Sequence, residues 1–160
     1  MHRAFPPLIE GKPDILILGT FPSPLSREKS EYYGNPQNKF WRIIFDIFNV
    51  EFVDPSYDEK KNVLYNNGVA LWDVVERCDI DGALDKNIKS PVYNAGLPDF
   101  IESNGIVKVL FNGKTAYELY RKGFEVVNVD HRVLPSTSPA NAGTSYEKKL
   151  TAWCEALTAR

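Results

Sequence analysis

Asp14-Ile-Leu-Ile-Leu-Gly19 runs directly into Thr20-Phe-Pro-Ser23, and this junction decides the fold. Four consecutive aliphatic side chains with no polar alternation describe a strand buried on both faces, and a glycine at its end permits a tight turn. Val69-Ala-Leu-Trp-Asp-Val74 and Ile106-Val-Lys-Val-Leu-Phe111 repeat the pattern, and Phe124-Glu-Val-Val-Asn-Val129 reads as a fourth strand. Helical periodicities lie between them. Trp41, Ile44, Phe45 and Phe48 share one face of a helix over residues 39–50, with Asn35 as its cap and Pro36 in its first turn. Ser56-Tyr-Asp-Glu59 is a capping box for a helix ending at Asn66-Asn67-Gly68. A loop with Gly82 and Pro91 leads to a short helix over 98–103, and residues 113–122 form another. The last helix opens on the capping box Thr144-Ser-Tyr-Glu147, with Tyr146, Leu150, Trp153 and Leu157 as its apolar stripe.

Strands that are continuous apolar runs separated by helices predict one α/β domain over residues 1–160. Its expected architecture is three-layer α/β/α around a central four-stranded, mainly parallel sheet. In such sheets ligands bind beyond the carboxyl ends of the strands. That rim carries residues 19–23, Trp72 and Asp73, residues 112–114 and residues 134–141.

At 160 residues the chain suits a single core, and 43% apolar with 25% charged residues is a globular balance. No apolar run approaches the roughly 20 residues of a membrane span, and the first residues lack a secretory signal. Cys78 and Cys154 match neither a disulfide framework nor a zinc motif, so two thiols in a reducing cytoplasm are expected. A net charge of −2 argues against an indiscriminate binder of nucleic acid. It does not exclude a protein that grips a few phosphates through amides and hydroxyls.

Each candidate motif has a functional and a plain reading. The turn at Gly19–Ser23 offers backbone N–H groups and the Ser23 hydroxyl to a phosphate or a base carbonyl, or it is simply a strand-to-helix turn. Phe111-Asn-Gly-Lys-Thr115 resembles the tail of a P-loop, but Lys108 stands where the earlier glycine belongs, which excludes a nucleoside triphosphatase. Asn112 either presents its amide to a base or caps the next helix. Leu134-Pro-Ser-Thr-Ser-Pro-Ala-Asn141 is either an ordinary turn or a rigid, hydroxyl-rich grip on a phosphate backbone. Tyr32-Tyr-Gly-Asn-Pro-Gln-Asn-Lys-Phe-Trp41 combines aromatics able to stack on a base with two amides at a helix mouth. Asn35 has the capping role available; Asn38 has no evident structural task. His2 and His131 fit structural roles, and no Ser–His–Asp arrangement is signalled.

Taken in order, these segments resemble the uracil-DNA glycosylase superfamily over nearly the whole chain, and within it the hypoxanthine-DNA (deoxyinosine) glycosylase branch. Mismatch-specific relatives carry Gly-x-Asn-Pro in the first motif, whose Asn orients the attacking water; here Phe21 stands in that place and cannot do so. The resemblance implies that the Asn of Asn-x-Phe-Trp, Asn38, is catalytic instead. It further implies base binding by Thr20, Phe21, Tyr33, Trp72, Asp73 and Asn112. DNA contacts fall to Ser23, Ser136, Thr137, Ser138, Pro139, Ala140 and Asn141. No cofactor or metal is expected: two cysteines cannot ligate the iron–sulfur cluster that some relatives hold. The implied protein is a cytoplasmic (in a prokaryote, nucleoid-associated), monomeric and monofunctional glycosylase. Its implied partner is duplex DNA with a deaminated or mismatched base. Three alternatives stay open: a mismatch-specific uracil or thymine glycosylase, a non-catalytic nucleic-acid-binding module, and a nucleosidase.

Overall fold

The computed structural model describes residues 1–80, 88–125 and 127–159. Four parallel strands form the central sheet: β2 (Ile15–Gly19), β3 (Val69–Asp73), β6 (Lys108–Asn112) and β7 (Asp130–Leu134), in the order β3-β2-β6-β7. The aliphatic run of β2 explains its central place. Ile15 and Ile17 enter one core with Leu71, Leu110 and Trp153, while Leu16 and Leu18 enter another with Val109, Phe111 and Tyr120. Both faces are therefore covered. Helices α2 (Phe40–Ile47), α3 (Tyr57–Asn66) and α6 (Tyr146–Thr158) supply the first core, and α4 (Leu97–Ser103) and α5 (Lys114–Phe124) the second. The short α1 (Pro24–Lys29) lies between β2 and α2 in the chain.

The strand order places the site. From β2 the chain passes to β3 on one side, whereas from β6 it passes to β7 on the other. The connections diverge between β2 and β6, and a crevice opens at that switch point beyond the strand ends. Gly19 and Asn112 end those two strands.

Several expectations need correction. The fourth strand is Asp130–Leu134 and not 124–129 (Val126 lies outside the described residues). Helix α5 runs on to Phe124, whose ring packs 4.9 Å from that of Tyr120 and 5.8 Å from that of Tyr93. Strand β7 is an edge strand, exposed at Asp130, Arg132 and Val133, so it needs no continuous apolar run. A second sheet is present where only a loop was expected: β4 (Val75–Ile80) pairs antiparallel with β1 (His2–Arg3) and β5 (Ile88–Tyr93). Pro91 is tolerated because β5 is an edge and its register is irregular. The expected loop position Gly82 lies outside the described residues.

Helix α2, Phe40–Ile47, lies within the expected 39–50, but its cap is Lys39 and not Asn35. Asn35 and Asn38 instead make consecutive local turns, accepting from Gln37 N and Phe40 N, each at 2.9 Å. The capping box at Ser56 and Glu59 is present. For α6 the cap is Ser145, accepting from Lys148 N, and not Thr144. The expected stripe holds: Trp153 and Leu157 are buried, with Tyr146 and Leu150 packed beside them.

Candidate active site

The crevice floor is made where three strand ends meet. A methyl group on Gly19 would lie 2.6 Å from Asp73 Oδ1 and 2.8 Å from Tyr33 Oη, so both oxygens converge on the space that this glycine leaves. Glycine is required here by close approach, since any side chain would displace the two oxygens. Asp73 is only 3% exposed yet lines the cleft from the end of β3. Its charge reaches the neighbouring Tyr32, whose hydroxyl is held far above the usual phenol range by burial first and by Asp73 second. Tyr32 stays a neutral donor, to Pro6 O at 2.9 Å.

One wall is the turn after β2. Thr20 is buried, and its Oγ1 has no hydrogen-bond partner among the described residues. The Phe21 N–H makes no hydrogen bond among them either. The Phe21 ring turns down into a small core with Val75 and Cys78, with the Arg27 guanidinium 5.6 Å above it. Only the backbone of Phe21 can therefore address a ligand. Ser23 caps α1, accepting from Ser26 N and donating to Ser26 Oγ.

The facing wall is tied together by one side chain. Asn112 Oδ1 accepts from Thr137 N, and its Nδ2 donates to Thr137 Oγ1 and to Tyr33 Oη, all at 3.0 Å. Both amide hydrogens are thus committed. Asn112 neither caps α5, whose cap Gly113 has no side-chain bond, nor keeps a donor for a base; it positions Tyr33 and the 135–141 loop. Tyr33 adopts a left-handed backbone (φ +52°), uncommon outside glycine, and stacks one ring face on Phe40 at 4.1 Å. It lines the cleft, and any base must use its other face.

The 135–141 loop separates in two. Thr137 is fully buried, its carbonyl accepting from Lys39 N, so it anchors the loop and cannot touch a phosphate. Trp153 Nε1 holds Pro135 O at 2.9 Å. Ser136 and Ser138 accept from Ser138 N and Ala140 N, which leaves each hydroxyl its own proton to donate. Pro139 and Ala140 are exposed, and Asn141 braces the loop through Ser136 O.

Asn38 lines the same cleft as Thr20, Phe21, Asp73 and Asn112. Its bond from Phe40 N fixes which end of the amide is oxygen and still leaves that oxygen a second lone pair. Trp72 departs from expectation: although it precedes Asp73, it points to the other face of the sheet and packs against Phe100 with ring centres 5.0 Å apart. Alternation along a strand explains this, because neighbouring residues face opposite ways.

The family model of the uracil DNA glycosylase superfamily matches residues 6–158. The chain belongs to that superfamily. Membership makes it a base-excision enzyme that hydrolyses an N-glycosidic bond in DNA. Among relatives, a hypoxanthine DNA glycosylase of Methanosarcina acetivorans is 35% identical over 143 residues, covering 88% of this chain and 89% of its own. One from Methanosarcina barkeri is 33% identical over 157 residues, 97% of each chain. The solution NMR structure of a uracil DNA glycosylase candidate from Methanosarcina acetivorans superposes with a TM-score of 0.77 at 32% identity, over 98% of this chain and 96% of that one.

Other groups of this glycosylase stand outside the cleft. His131 stacks on Tyr117 at 5.7 Å on the α5 side, a packed structural histidine. Cys78 is buried beneath Phe21, and Cys154 is half-buried on α6. Lys114 of the P-loop-like segment pairs weakly with Glu118 at 3.9 Å. One cleft residue had no motif to reveal it: Ser26, which is buried and accepts from Gly34 N at 2.9 Å. Lys149, which lies outside the cleft, did leave a trace: it stands three residues after Tyr146 and four before Trp153, on the apolar stripe of α6. Among the described residues no helix is long and apolar enough to cross a membrane.

Proposed function

We propose that this glycosylase removes hypoxanthine from DNA by hydrolysis without cutting the strand. The observation that carries the reading is the meeting, in one cleft at the sheet's switch point, of Asn38, the buried Asp73 and the β2-turn donors that have no partner among the described residues. The two relatives named above are hypoxanthine DNA glycosylases, which supports the choice of base.

Glycosidic cleavage develops positive charge on the sugar and negative charge on the departing base. The Thr20 hydroxyl and the Phe21 N–H would donate to the base carbonyl, where that negative charge collects; donors fixed before reaction stabilise it without reorganising. The Asn38 carbonyl would accept from a water and hold it toward C1′. Asp73 would accept from the ring N–H beside the carbonyl, a carboxylate having several acceptor sites. Hypoxanthine and uracil present a carbonyl next to a ring N–H, whereas adenine and cytosine present an amino group next to a bare ring nitrogen. The parent bases therefore meet a donor with a donor and an acceptor with an acceptor. Extruding a nucleotide costs a few kcal/mol, least at a mispair, which adds to the selection of deaminated sites.

The test compares base release from duplexes carrying hypoxanthine, uracil, thymine, xanthine or adenine, each opposite the four normal bases. Hypoxanthine should be released fastest and adenine not at all, with strand breaks only after alkali. Faster release of uracil or thymine would move the enzyme to the mismatch-specific branch. Release from free inosine alone would make it a nucleosidase.

A further inference from the structure

On the far side of the Thr137–Ser138 wall lies a second depression, between the start of α2, the 135–142 loop and the first turn of α6. Lys39, Ser138, Thr144, Ser145 and Lys149 line it together with apolar neighbours, and no carboxylate is among its lining residues. Lys149 is the unusual member. It is only 4% exposed, and its ammonium has no hydrogen bond or ion pair among the described residues. Lysines are seldom buried to this extent without a partner. Burial first and the charge of Lys39 second hold its pKa below the usual lysine value. The stem of Lys149 is buried while its ammonium opens into the depression, so the charge is presented to a group that arrives from outside.

We infer that Lys39 and Lys149 together form an anion site for a backbone phosphate of the DNA strand whose base enters the cleft. The ligand must be anionic, since two cations and the amino end of the thirteen-residue α6 face one space. The Ser145 and Ser138 hydroxyls, each accepting from a backbone N–H, keep protons to donate to phosphate oxygens. Position favours a strand phosphate over a free ion. Asn38 lines the base cleft while its chain neighbour Lys39 lines this one, and Thr137 and Ser138 form the wall common to both. A nucleotide in the cleft thus has a phosphate position one residue away. This inference rests on the DNA reading above but assigns a separate anchor.

The experiment measures binding of the full chain to a duplex containing 2′-fluoro-deoxyinosine, which resists cleavage, across a chloride series. Lys149→Met keeps the bulk and removes the charge; Lys122→Met, in the last turn of α5 and not among the lining residues, is the control. Lys149→Met should weaken binding on the order of tenfold and reduce the slope of log K against log salt by roughly 0.9, the loss of one phosphate contact. Its urea midpoint should stay at or above that of the parent, because the packing of the stem is kept and no ion pair among the described residues is lost. Lys122→Met should change neither. A folded Lys149→Met with the parental slope overturns the inference. If that variant fails to fold, the exposed Lys39→Met carries the same test, and an unchanged slope there overturns it. Inorganic phosphate protecting the parent but not Lys149→Met, with duplex slopes equal, would make this a free-anion site and also overturn it. A parent that binds no duplex at all defeats the functional reading itself.

Discussion

The two walls of the cleft differ in how their polar groups are satisfied. On the Asn112 wall the amide is spent on Tyr33 and Thr137, and the loop beyond it is pinned by Trp153 and by Lys39 N. On the β2 wall a buried hydroxyl and a backbone N–H are left without partners among the described residues. Buried polar groups are nearly always paired, so the contrast separates what holds the site from what awaits a ligand. The comparison also shows why polar character alone misleads. Asn112 has the chemistry of a base reader and acts as a brace, whereas Thr20, with a modest hydroxyl, is the one left open.

This contrast can be broken at the floor that both walls share. Gly19→Ala would push a methyl into Asp73 Oδ1 and Tyr33 Oη, which would have to leave their places on the cleft floor. Base release should fall below detection, with stability lower by about 1–3 kcal/mol, as overpacking gives. Parallel excision assays and urea melts check both. Asn112→Ala strands the buried Thr137 N–H and hydroxyl and releases the Tyr33 side of the brace. Unfolding free energy should fall by about 2 kcal/mol. The activity loss should be larger in KM than in kcat, because a positioning residue has gone. The opposite signature is expected at Thr20→Val. Removing a buried hydroxyl that has no partner among the described residues should leave stability unchanged or raise it by about 1 kcal/mol. Excision at saturating DNA should still fall roughly tenfold, as for the loss of one donor to a charged group. A stable but slow enzyme is the mark of a group reserved for substrate.

The sequence made the parallel sheet legible because Ile15, Leu16, Ile17 and Leu18 are aliphatic on both faces. It hid β7, an edge strand whose exposed Asp130 and Arg132 carry no such run. It also hid the antiparallel pair of β4 and β5, where Pro91 looks like a breaker until the edge position is known. The rim was legible for the same reason as the sheet: strand ends fix it, and Thr20, Asp73 and Asn112 all lie there. Orientation was not. Trp72 and Asp73 are neighbours, and only the register of β3 decides that the carboxylate enters the cleft while the indole leaves it. Nor could spacing show that Thr137 is swallowed by its own loop while Ser136 and Ser138 keep their protons outward-capable.

The account turns on an amide at the mouth of α2 taking over the water that Phe21 cannot hold. Single-turnover excision from a deoxyinosine duplex by Asn38→Ala tests this directly, with the parent at the same saturating concentration. The expected result is a fall of about 100-fold in rate at unchanged duplex affinity and unchanged urea midpoint. A variant that keeps the parental rate would contradict the account. The burden of chemistry would then pass to Asp73, the carboxylate on the cleft floor.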